Sequence, residues 1–304
     1  MAKKPGPRPF IWAGAIYVVC LALAFLATYQ EKHGIDTGQI PPLPVITAGP
    51  LGFPIIPILY FFAATAILGL ILFLIPISKL SLLLRVLFGF AFSWGSFILF
   101  WLFLQHGPPT VISFPTLASG MLALGLGILW LLFPIIWFHD LLLGFTLVSM
   151  ASFFGAIFTP WTVVIVMAVV ALYDFLAVRF GYMQWMTQKL SESDTLPAFF
   201  VPARPGDWNS SLRGPALKKL FEEKAEKDFY VLGGGDIAFP LLLAMSVFFV
   251  NGAEKAVIVS ASSLVGLGAA YAIHLTIMKG KATPALPPIF VFSLLGVLAV
   301  RFVG

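Results

Sequence analysis

The chain consists largely of long apolar runs separated by short polar breaks. Within the runs the apolar positions are continuous rather than alternating, which predicts helices with apolar surroundings on every side and excludes an outer-membrane barrel. Crossing a bilayer core takes about 20 residues as helix. Nine runs meet that requirement: Phe10 to Tyr29, Phe53 to Ile77, Leu80 to Leu104, Val111 to Phe138, Leu141 to Thr159, Trp161 to Phe180, Val231 to Val250, Ala256 to Met278 and Pro284 to Val303. The divisions near His139 and Pro160 are the least sharply marked, and eight spans is the alternative count. The expected fold class is an all-α membrane protein, a polytopic bundle of about nine transmembrane helices. The basic start, Met1 to Pro9, followed by an apolar run resembles a signal peptide. An h-region is typically only about 7–15 residues, and no small-residue cleavage site follows, so an anchored first helix is expected.

One polar stretch of length, 181–230, divides the chain into a six-span part at 1–180, the loop itself, and a three-span part at 231–304, all within one integral membrane domain. Inside the loop, the spacing of Leu217, Leu220, Phe221 and Phe229, with Glu223 and Lys227 four apart, predicts a short interfacial helix from Pro215; a solvated linker is the alternative. Lys3, Lys4, Arg8, Lys79, the polar loop, Lys279 and Lys281 fall on one side of a nine-span layout, and little beyond Lys32, Lys255 and Arg301 on the other. By the positive-inside rule the N-terminus is cytoplasmic and the C-terminus external, in a cell membrane.

Composition agrees with this layout. Mean hydropathy is +1.00 and only 10% of residues are charged, against about 25% in soluble domains. The net charge of +5 follows cytoplasmic edges, so it points to the lipid bilayer and its anionic headgroups rather than to nucleic acid. Cys20 stands alone, and His33, His106, His139 and His274 are scattered. No metal site and no cofactor are expected.

Against this apolar background two acids stand out, Asp174 in the sixth span and Asp236 in the seventh. A carboxylate in hydrocarbon is costly unless it faces a partner or water, so both are candidate functional residues. The sixth span runs inward and the seventh outward, and each acid lies about six residues, or roughly 9 Å, from the cytoplasmic end of its span. Antiparallel neighbours at one depth would bring the carboxyls face to face; the alternative is that each lines a pore or snorkels separately. Paired carboxyls share a proton and titrate together, the arrangement that aspartic proteases use to activate water. Gly233, Gly234 and Gly235 would let another backbone approach, and Pro240 would kink the helix at Asp236; tight packing and an ordinary kink are the structural alternatives.

Tyr173-Asp174, Gly233-Gly234-Gly235-Asp236 and Pro284-Ala285-Leu286 at the last span, in this order, resemble the three motifs of the presenilin and signal peptide peptidase family of GxGD-type intramembrane aspartyl proteases. The likeness extends over essentially the whole chain, and within the family it is to archaeal and other prokaryotic presenilin homologues. It implies an aspartic endopeptidase that cleaves transmembrane substrates, with Asp174 and Asp236 as the catalytic pair. Tyr173 would lie beside the pair or contact substrate or a neighbouring helix, and Pro284, Ala285 and Leu286 would border the site and engage unwound substrate. The charge count favours the presenilin orientation, whose substrates are single spans with external N-termini. Accessory subunits are not evident, and homo-oligomerisation stays open.

Other features compete for attention. Asp36-Thr37-Gly38 spells the signature of soluble pepsin-like proteases but has no second copy and no β-rich chain around it. Pro215-Ala216-Leu217 repeats the triplet in the polar loop, where Pro more plausibly opens a helix. The apolar island Leu196 to Pro202 suits a membrane-dipping or packing segment better than a groove occupant or a self-cleavage site. Arg85 is placed to snorkel, and Asp140 with His139 at a span boundary demands no catalytic role. Two rival functions share some of these features: a prepilin-type peptidase, which leaves the Tyr-Asp and Pro-Ala-Leu motifs unexplained, and an ion- or proton-coupled transporter or channel, which would commonly show repeated halves.

Overall fold

The computed structural model describes residues 8–41, 43, 55–75, 77–105, 114–183, 185–186, 195–202, 204–213, 229–278 and 283–301. The expected interfacial helix from Pro215 lies outside these residues. Among them the helices are α1 (Arg8–Asp36), α2 (Ile55–Leu74), α3 (Ile77–Leu104), α4 (Pro115–Leu132), α5 (Ile136–Ile157) and α6 (Pro160–Arg179), followed by α7 (Gly234–Asn251), α8 (Ala253–Thr276) and α9 (Leu286–Val300). Between α6 and α7 lie strand β1 (Ala198–Pro202), a 3-10 turn (Pro205–Asn209) and strand β2 (Phe229–Gly233). Seven of the described helices are long and apolar enough to cross a bilayer, which gives a polytopic helical bundle.

The two indistinct divisions have local causes. The fourth run ends at Leu132 rather than Phe138, because Pro134 cannot continue a helix; the Pro134 carbonyl accepts from Leu212 N–H at 2.8 Å instead. His139 therefore lies inside α5, one turn past its start, rather than at a boundary. At the second division, Thr159 caps α6, its hydroxyl accepting the Thr162 N–H at 3.3 Å with Pro160 in the first turn. A single residue, Gly252 at φ 90°, separates α7 from α8; this left-handed conformation suits glycine.

The chain forms two compact units, one of residues 1–19, 75–147 and 186–234, the other of residues 20–74, 148–185 and 235–304. In the first, α3 meets α4 at Gly127, where an added Cβ would strike the Ser93 hydroxyl, and meets α5 at Gly95 against Thr146. Phe92, Trp130 and His139 stack edge-on or tilted beside these contacts, with Phe92 and Trp130 centroids 4.9 Å apart. β1 pairs antiparallel with β2, Ala198 opposite Gly233 and Pro202 opposite Phe229. All five β1 residues are buried, so the apolar island at Leu196 is a packing strand. These seven residues, with prolines at 197 and 202, are too short to span a bilayer but suit a strand buried on both faces.

In the second unit α8 and α9 pack antiparallel along small residues. Gly266 lies against Ile289, Gly296 against Ser262, and the Ser263 and Ser293 hydroxyls are 2.7 Å apart. Hydrocarbon solvates Leu as well as another helix does, so close backbone approach and interhelical hydroxyl bonds supply the association. α5 meets α7 at Gly155 beside Met245, and α1 meets α7 where the Phe25 and Phe248 rings are 5.7 Å apart. Glu31, outside the expected first span, is inside α1 and buried; it accepts from the Ser152 hydroxyl, which accepts in turn from Thr28.

A Cβ at Gly266 would sit 2.8 Å from the Ile289 Cα, whereas one at Gly120 meets nothing within 4 Å. Thermal unfolding in detergent should therefore show Gly266→Ala destabilised by about 1–3 kcal/mol and Gly120→Ala unchanged or slightly stabilised.

Candidate functional site

Asp174 stands on the last turns of α6, five residues before its end at Arg179, and is half-buried. Its Oδ2 accepts the Leu286 backbone N–H at 3.2 Å. That donor is available for a local reason. Residues 283–285 are non-helical and α9 begins at Leu286, so its N–H is one of the first-turn donors that no helical carbonyl can satisfy. Pro287 and Pro288 follow within the first turn, where missing N–H groups do not matter. Of the Pro284-Ala285-Leu286 segment, the backbone of Leu286 makes the hydrogen bond to Asp174, and the Leu286 side chain is buried. Thr283, just before it, lies 2.9 Å from Nδ1 of His274 on α8, tying the entry of α9 to the preceding helix.

Tyr173 points toward α2: its ring meets Phe62 edge-on at 6.3 Å, so the neighbouring-helix alternative describes this contact. Adjacent helical positions diverge by about 100°, which separates it in direction from Asp174. Tyr182 follows the same face, since a Cβ at Gly69 of α2 would lie 2.6 Å from its hydroxyl.

Asp236 is half-buried in the first turn of α7, two residues past its start at Gly234. The helix begins three residues later than its apolar run, because Phe229–Gly233 is extended and paired with β1. Pro240, inside α7, has no N–H to donate to the Asp236 carbonyl. Asp174, Asp236 and Leu286 all belong to the second compact unit.

The three glycines divide by role. Gly233 is the last residue of β2, opposite Ala198. Gly234 donates its N–H to the Pro197 carbonyl at 2.9 Å, and an added Cβ would lie 2.9 Å from that same oxygen. Its lack of a side chain serves this internal approach rather than an incoming backbone. Gly235 is exposed, and a Cβ there would make only ordinary contact with Phe239 at 3.6 Å. Among the three, the open approach expected for substrate is confined to Gly235.

Other candidates find structural explanations. Asp36-Thr37-Gly38 is the C-terminal end of α1: Gly38 has φ 74°, Thr37 donates to the His33 carbonyl and Ile40 to that of Gly34. These are helix-ending hydrogen bonds around a left-handed glycine. Among the described residues no group of three or more His, Cys, Asp or Glu is placed to hold a metal ion. Two buried acids lie outside the expected site: Glu31, beyond the end of the first apolar run at Tyr29 yet inside α1, and Asp140, expected at a span boundary yet inside α5. The small hydroxyls Thr28 and Ser152 in apolar runs are the available signal for the first.

The profile of the family described as signal-peptide peptidase, presenilin aspartyl protease matches residues 51–303. Two solved structures of a presenilin family intramembrane aspartate protease share the fold. The one in space group C222 is 18% identical, with a TM-score of 0.64 over 97% of this chain and 100% of its own. The one in P2 is 16% identical, with a TM-score of 0.58 over 96% of each chain. No curated protein matches the sequence.

The two inner glycines make different demands. Gly234→Ala should lower the unfolding midpoint in detergent, by an amount corresponding to about 1–3 kcal/mol of overpacking against a backbone oxygen that cannot rotate away. Gly235→Ala should leave the midpoint within about 0.5 kcal/mol of the parent.

Proposed function

The chain belongs to the signal-peptide peptidase and presenilin aspartyl protease family, and from that premise we propose that Asp174 and Asp236 are its catalytic pair. Membership makes it an intramembrane aspartyl protease, a multi-pass membrane protein whose substrates are membrane proteins in a bilayer, and sets aside the transporter reading. The observation that carries the assignment is the carboxylate of Asp174, on an apolar helix, accepting the Leu286 N–H from the Pro-Ala-Leu segment. Asp174, Asp236 and the Pro-Ala-Leu segment belong to one compact unit, with Asp236 in the first turn of α7.

In the proposed reaction one ionised aspartate takes a proton from water as the water oxygen bonds to the scissile carbonyl carbon. The other, protonated, gives its proton to the carbonyl oxygen, yielding a tetrahedral gem-diol. Collapse breaks the carbon–nitrogen bond, and a proton passes from the first aspartic acid to the departing amine while the second recovers one from the diol. Protons balance without a metal or cofactor. The Leu286 N–H holds one Asp174 oxygen, which leaves the other to face water or substrate. Tyr173 braces α6 through Phe62, and Pro284 and Ala285 border the site.

A substrate helix hides its scissile carbonyl, so it must be opened first. Adding the opened segment as a strand to β2, which runs without a loop into the Asp236 helix, would replace the lost backbone bonds. The apolar runs support nine spans and the polar stretch a three-part division at 1–180, 181–230 and 231–304, while the lysine and arginine distribution supports a cytoplasmic N-terminus in a cell membrane and substrates with external N-termini.

Purified protein in detergent, given a labelled single-span substrate with an external N-terminus, should release products cut within the span, identified by mass. Asp174→Ala and Asp236→Ala should each reduce the rate by at least about 100-fold. Cleavage surviving either substitution would remove that residue from the pair.

A further inference from the structure

β1 has two edges, and both are occupied. Along one it pairs with β2, and Pro197, at its entry, accepts the Gly234 N–H. Along the other, two consecutive side chains of α5 hold its backbone. His139 Nε2 lies 3.2 Å from the Ala198 carbonyl, an oxygen that can only accept, so the imidazole donates. Asp140 Oδ1 accepts the Phe200 N–H at 3.1 Å. The alternation of a strand explains why this works: Ala198 and Phe200 direct their backbone groups to the same edge.

Both side chains are deeply buried, His139 at 1% and Asp140 at 7% exposure. The second polar atom of each, His139 Nδ1 and Asp140 Oδ2, is buried with no hydrogen-bond partner among the described residues. An apolar pair would fill this volume without burying unsatisfied polar atoms, so packing alone does not account for a histidine and an acid here. Aromatic rings fix the imidazole further: Phe92 and Phe200 lie 5.4 and 5.6 Å from it. The clamp bears on the catalytic helix through chain continuity. β2 ends at Gly233, Gly234 opens α7 while bonded to Pro197, and Asp236 follows two residues later.

We infer that His139 and Asp140 are positioning residues, which grip the outer edge of β1 and thereby fix, through β2 and Gly234, where the helix bearing Asp236 begins. The inference rests on the proposed catalytic role of Asp236 for its effect on rate, but not for its effect on the strands.

The test uses the full-length protein in detergent, with active sites counted by titration with a peptide carrying a hydroxyl isostere of the tetrahedral intermediate. Asp140→Ala should lower kcat per active site by about 10- to 100-fold, the scale set by small misplacement of a reacting group. KM should stay within about twofold, and amide hydrogen exchange across 229–236 should quicken. Asp140→Asn, which keeps an acceptor oxygen, should recover both. Likewise His139→Gln, which keeps a donor, should recover what His139→Ala loses, and this second pair carries the test should Asp140→Ala not fold. Unchanged exchange across 229–236 in the alanine variants, or Asn and Gln variants as impaired as the alanines, would overturn the clamp. Exchange is read without turnover. Cleavage that survives Asp236→Ala, alongside quickened exchange in the clamp variants, would overturn the catalytic assignment and leave the clamp standing.

Discussion

Away from water every backbone N–H and C=O must find a partner within the protein, and the organisation of this chain follows from that constraint. Helices meet it internally, which is why apolar runs of this length become helices rather than strands or coils. The informative places are those where the helical solution is interrupted. Residues 229–233 and 198–202 satisfy each other as strands, with His139 and Asp140 completing the edge that β2 leaves open. The non-helical residues 283–285 deliver the Leu286 N–H to Asp174. Pro240 withdraws the donor that would otherwise meet the Asp236 carbonyl. Each of the proposed catalytic acids therefore stands next to an interruption of regular helix.

A second constraint governs how the helices associate. Lipid offers apolar side chains as good an environment as another helix does, so specificity falls to small residues and to hydroxyls. Gly266, Gly296 and the Ser263–Ser293 pair do this for α8 and α9, and Gly155 does it for α5 and α7. Glu31 with Ser152 and Thr28 belongs to the same class of contact: a buried acid made tolerable by hydroxyl donors, with no evident part in the chemistry.

Buried acids thus differ in meaning according to what surrounds them. Asp174 and Asp236 are half-buried, next to broken helix, and carried by family motifs. Glu31 and Asp140 are enclosed, and their contacts are hydroxyl or backbone groups of neighbouring elements. An acid that must exchange protons with water needs some access to it, whereas an acid that holds a strand or a helix in place does not.

Much of this was determined by the sequence alone. Hydropathy established the membrane class and the approximate position of the helices, because transfer of about 20 apolar residues dominates every other local preference. The three ordered motifs pointed to the family and to the residues of the proposed site. Tertiary structure decided what depends on pairing between distant segments. Nothing in the apolar run marks Val231 and Leu232 as extended rather than helical; pairing with Phe200 and Phe199 of β1 does. Nor does spacing distinguish Gly234, pressed against the Pro197 oxygen, from Gly235, which is open. The backbone contact of Leu286 with Asp174, and the engagement of His139 and Asp140 with β1, arise between residues far apart in the chain, where periodicity carries no information.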